Sequence, residues 1–67
     1  MTKFSDEAAD YDLVYQRDTD AAFLFKDLDD DDVWLPKSAV EIGGTLKRGQ
    51  VVSVTIPNWL AEAKGLA

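Results

Sequence analysis

The side chains in this sequence with chemistry to offer are carboxylates. Thirteen acids stand against seven lysines and arginines, and ten of the thirteen are aspartate, four of them in the unbroken run Asp29-Asp30-Asp31-Asp32. Carboxylates in such numbers can wrap a hard cation, exchange protons as a general acid and base, or present negative charge to a cationic partner. The first use fails on register. Counted from Asp27 as the opening ligand of a calcium loop, the sixth position is Asp32, where the sharp turn needs glycine, and the twelfth is Ser38, where a bidentate glutamate is needed. No specific metal is expected. Acid/base catalysis requires burial or a neighbour that drives two carboxyl pKa values apart, and these aspartates sit among turn-forming letters with no apolar cradle or nucleophile beside them. Gly43-Gly44 followed by Lys47 lacks the glycine spacing and the Lys-Ser/Thr ending of a phosphate loop, and reads as a turn. Histidine and cysteine are both absent, which removes Ser-His-Asp and Cys-His catalysis, disulfides and zinc sites of the usual ligand type. The expectation is a protein that is not an enzyme, with no catalytic residue and no cofactor.

The third use survives. Residues 1–32 hold eleven acids and three bases, a net of −8, whereas residues 33–67 hold two acids and four bases, a net of +2. Aspartates two apart in an extended strand lie on one face about 6.6 Å from each other, so Asp10 with Asp12, and Asp18 with Asp20, space negative charge on roughly the scale of successive phosphates. Asp18, Asp20, Asp29, Asp30, Asp31 and Asp32 are the candidate partner-binding acids, with Tyr15 and Trp34 as aromatic anchors. Acidity that merely maintains solubility is the plainer alternative. Trp34 with Lys37, Lys47 and Arg48 could stack and hold a single strand of nucleic acid, but a net charge of −6 opposes direct nucleic-acid binding.

The elements that must position these side chains are mostly strands. Sixty-seven residues allow a single domain, in which residues 1–10 read as a loose arm. Tyr11, Leu13 and Tyr15 alternate with Asp12, Val14 and Gln16 in a first strand, and Asp18-Thr19-Asp20 supplies a hairpin turn. The nearly continuous apolar run Ala21 to Asp27 reads as the central strand, covered on both faces. Asp29 to Asp32 is then a turn, Val33-Trp34-Leu35 a strand stopped by Pro36, and Ala39 to Ile42 a short strand before Gly43-Gly44. Gln50 to Ile56 alternates β-branched residues, with Val52, Val54 and Ile56 on one face. Pro57 opens and Gly65 closes a two-turn helix that should dock Trp59 with Leu60 and Ala63 on the sheet. The fold class expected is α+β, β-rich: a small antiparallel sheet or partly open barrel of four to five strands with a short C-terminal helix. No apolar run approaches a membrane span, and Asp6 and Glu7 stand where an export signal would be basic, so a cytoplasmic location without membrane contact is expected.

Val33-Trp34-Leu35-Pro36-Lys37-Ser38, with Glu41 two residues past Ala39, and the stretch Ile56-Pro57-Asn58-Trp59-Leu60-Ala61-Glu62-Ala63-Lys64-Gly65-Leu66 resemble a pattern of small uncharacterised proteins of bacteriophages and mobile elements. The likeness covers roughly the C-terminal half and carries no catalytic residue. It implies a β-rich domain closing on a short helix and a phage setting, in which small acidic proteins are often inhibitors of host defence, anti-CRISPR proteins among them. The acidic N-terminal half departs from the more evenly charged pattern of that group. The function expected is a non-enzymatic inhibitor acting as an acidic mimic of nucleic acid. Its partner would be a host protein with a basic surface, a nucleic-acid-binding defence complex. A single-stranded nucleic-acid-binding module and a self-associating phage structural or assembly subunit are the alternatives.

Overall fold

The computed structural model describes residues 7–66. Five strands form one antiparallel sheet: β1 (Ala8–Asp18), β2 (Ala22–Lys26), β3 (Asp32–Pro36), β4 (Glu41–Ile42) and β5 (Val51–Pro57), in the order β3-β2-β1-β5-β4. A 3₁₀ turn, Lys37–Ala39, lies between β3 and β4, and a six-residue helix, α1 (Asn58–Ala63), follows β5. This is the β-rich sheet with a C-terminal helix that the alternation predicted. Among the described residues no helix is long and apolar enough to cross a membrane.

The register explains which side chains enter the core. Leu13 opposes Val52, Tyr11 opposes Val54 and Tyr15 opposes Phe25, while Phe25 opposes Val33 and Phe23 opposes Leu35. These rows line one face, and Leu13, Phe25, Val33, Leu35, Val52, Val54 and Ile56 are buried on it. Val40, from the β3–β4 connection, and Leu60 and Ala61 of α1 cover that face. The connection also fixes the curvature. Pro36 to Glu41 is a reach of about 17 Å at full extension. In a flat sheet these residues would stand at diagonal corners, four strand spacings and about eight residues of β1 apart, or roughly 33 Å. The open sheet must therefore coil until the two corners come within that reach.

Three expectations change. The centre of the sheet is β1, not the apolar run Ala21 to Asp27: within it β2 buries Phe25 on one face, whereas Ala22 and Leu24 are half-exposed on the other. A continuous apolar run signals two covered faces only where a second layer exists, and among the described residues none covers the convex face. The arm expected over 1–10 is strand from Ala8 onward, because β5 is long enough to pair that far, with Ala8 opposite Pro57; residues 1–6 lie outside the described residues. Finally, α1 docks through Leu60 and Ala61, while Trp59 is 60% exposed. Its end is as expected. Gly65 takes φ 75°, its N–H reaches the Glu62 carbonyl and that of Leu66 the Ala61 carbonyl, the paired bonds of a Schellman cap. Pro57, with φ −63°, is the N-cap residue, and α1 starts one residue later than predicted.

Candidate functional site

Each candidate acid is positioned by a turn or by a strand face. The aspartate-rich turn begins earlier than the sequence suggested, because Asp27 builds it. Its carboxylate accepts the backbone N–H groups of Asp29 at 2.9 Å and Asp31 at 3.0 Å, and Asp30 adopts φ 67°, a conformation aspartate tolerates better than most residues. Asp32 is already the first residue of β3. Lys26, opposite Asp32 in the register, places its ammonium 2.8 Å from the Asp32 carboxylate and 3.8 Å from that of Asp30. That pairing holds the Lys26 pKa above its ordinary value, the Asp32 hydrogen bond being the main cause.

Asp18 is likewise engaged within the protein. It accepts hydrogen bonds from the Lys37 ammonium and from the Tyr15 hydroxyl. The Lys37 bond, then the Tyr15 bond, hold the Asp18 carboxyl below the usual carboxylate range, and the same contact raises the Tyr15 phenol. Tyr15 itself is half-buried, its ring edge-on to Phe25 at 6.0 Å, and Lys37 sits 5.2 Å from the Phe23 ring centre. Tyr15, Asp18, Phe23 and Lys37 therefore form a rim of the core, against which Tyr15 packs with part of its surface exposed.

Trp34 is different. A β-bulge at Gln16 sets Arg17 opposite Leu24, and Leu24 opposes Trp34, so all three share the convex face. In an unbulged ladder Gln16 would stand opposite Leu24 and Arg17 would follow Tyr15 to the core side. The guanidinium carbon lies 5.5 Å from the Trp34 ring centre, a cation–π distance, and the indole is 39% exposed. Val14 and Val51, directly paired, continue this half-apolar face towards β5.

Beyond Val14 the same convex face turns acidic. Asp10 opposes Thr55, Asp12 opposes Ser53, and Glu41 of β4 opposes Thr55 from its other side. Thr55 donates its hydroxyl to the Asp10 carboxylate. Asp10 and Asp12 were recognisable in sequence as an i, i+2 pair. Glu41 was not, because only the β4–β5 pairing carries it to that face. Among the described residues, no ion pair neutralises Asp10, Asp12, Glu41, Asp20, Asp29 or Asp31. Of the sequence-predicted acids, then, Asp20, Asp29 and Asp31 stand outside ion pairs, while Asp18, Asp30 and Asp32 carry the protein's own lysines. No family model, curated protein or solved structure matches the chain.

Proposed function

We propose that this protein is a non-enzymatic binding domain that seats its acidic convex face and aspartate turn on a basic, nucleic-acid-binding surface of a partner. Its most concrete form is the inhibition of a host defence complex by an anti-CRISPR-type phage protein. The observation that supports this is the acid set Asp10, Asp12 and Glu41, free of cations among the described residues, on a face that also exposes Trp34. Asp10 and Asp12, about 6.6 Å apart, offer a phosphate-like spacing. Trp34 offers the large desolvated anchor that charge alone lacks, since surface charge contributes more to association rate than to affinity. Asp29 and Asp31 add steering from the turn, and Asp18 and Asp32, held by Lys37 and Lys26, are structural.

The test titrates the protein into guide-loaded CRISPR effector complexes carrying labelled target DNA, with displacement read by fluorescence anisotropy. Displacement is expected, weakening as salt rises from about 50 to 200 mM. The D10N/D12N double variant should compete poorly and Asp18→Asn should compete like the parent. Retention of DNA by every effector type, or equal competition by D10N/D12N, would refute the mimicry.

A further inference from the structure

β1 is longer than the strand beside it. Its eleven residues pair with β5 from Ala8 to Val14, but with β2 only from Val14 onward, because β2 ends at Lys26 and the chain turns away at Asp27. Among the described residues, nothing pairs with the β2-side edge over residues 8–13. Alternation decides which backbone groups are left there. The N–H of Tyr15 bonds the Gln50 carbonyl and the Tyr15 carbonyl accepts the Gly49 N–H, so both of its groups point to the β5 side. Counting back by twos, Leu13, Tyr11 and Ala9 also point to β5, and Asp12 and Asp10 direct their N–H and C=O groups to the open edge.

That edge borders an open notch of about 350 Å³, lined by Asp10, Tyr11, Asp12 and Leu13 together with Leu28 and Leu66. Four consecutive residues of one strand can line a single space only at its edge, since their side chains alternate between faces. The notch explains Leu28, an 80% exposed leucine in an otherwise polar turn. Its wall is also anionic, with Asp27 and Asp29 lining it besides Asp10 and Asp12.

The geometry points to a strand-docking site: an extended segment of a partner protein adds to β1 along residues 8–13, carrying basic residues two apart opposite Asp10 and Asp12, and an apolar residue between them facing Tyr11, Leu28 and Leu66. Main-chain hydrogen bonds supply the affinity in such additions and the alternating pockets supply the selectivity. A second copy of this chain is the wrong occupant by charge. Antiparallel self-pairing about Tyr11 sets each Asp10 against the other copy's Asp12, and like charges directly opposed destabilise a ladder. The choice of a basic segment rests on the reading of the protein as a binder of basic partners; the open edge does not.

The probe is the peptide acetyl-Lys-Val-Lys-Val-Lys-Val-Lys-amide, together with a form N-methylated at its lysines, which keeps every charge but removes the N–H groups that would face β1. Binding by calorimetry and amide exchange by NMR are read on the parent protein and on D10N/D12N. The expected result is that the Asp10 and Asp12 amides slow about tenfold or more on peptide binding while the Tyr11 amide, already bonded to β5, does not change, and that N-methylation weakens binding at least about tenfold. Equal binding of the N-methylated peptide, or binding without protection at Asp10 and Asp12, would overturn strand docking while leaving the basic-partner reading standing. Self-association of the protein alone with those two amides protected would overturn it in favour of a second copy. Absence of binding by either peptide would also overturn it, and the DNA-displacement assay judges the wider reading independently.

Discussion

Truncating Leu60 and Trp59 separately to alanine distinguishes two ways of fastening the C-terminal helix. Six residues cannot remain helical alone in water, so α1 exists only because it is docked. Leu60 is 5% exposed against the sheet and Trp59 60% exposed. A Leu→Ala change at a buried site costs about 2–5 kcal/mol, from lost transfer energy and the residual cavity. α1 is short and can shift towards the gap, which places Leu60→Ala near the middle of that range, at about 3 kcal/mol. A domain of this length has a total stability of about 3–10 kcal/mol. Leu60→Ala should therefore lower the melting temperature by roughly 12–24 °C, at about 4–8 °C per kcal/mol. Trp59→Ala removes a mostly hydrated ring and should cost within about 1 kcal/mol. Urea titration followed by circular dichroism, with Trp34 fluorescence as a second probe, measures both. A Trp59→Ala loss equal to or larger than that of Leu60→Ala would show that the indole, not the leucine, holds the helix.

Gly65→Ala should cost about 1–2 kcal/mol in the same titration, because its φ of 75° is strained for any Cβ while nothing lies within 4 Å to clash. Asp30→Gly, at φ 67°, should stabilise by a few tenths to about 1 kcal/mol, chiefly by relieving the same strain at the turn. The Asp18 carboxyl is held low by Lys37 and Tyr15, so its contribution is present above the unfolded value near 3.8 and is lost as the pH falls through the lower folded value. Lys37→Met should flatten that acid limb of a stability-against-pH curve, and an unchanged limb would exclude the Lys37–Asp18 pair as its source. Arg17→Met should remove the cation from the Trp34 ring, read as a change in indole fluorescence; an unchanged spectrum would discount that stacking.

The succession of strands along the chain, the inward set Val52, Val54 and Ile56, the stop at Pro36 and the glycine-capped helix end were all legible in the sequence. Each rests on local rules: period-two alternation, proline's missing donor, and the left-handed conformation glycine accepts. The acidic surface was legible only in part. Composition located the aspartates, but whether a carboxylate faces solvent or one of the protein's own lysines depends on residues far away in the chain, as Lys37 with Asp18 shows.

Local chemistry alone therefore determined that this chain is a β-rich, strongly acidic domain with a short terminal helix. Tertiary structure decided that β1 lies at the centre, that Leu60 and not Trp59 docks the helix, and that Glu41 joins Asp10 across Thr55. Among the described residues it also left half of one β1 edge unpaired. Those outcomes depend on strand register, a single bulge and the coiling forced by a short connection, and such long-range pairings leave no periodic trace in the order of the residues.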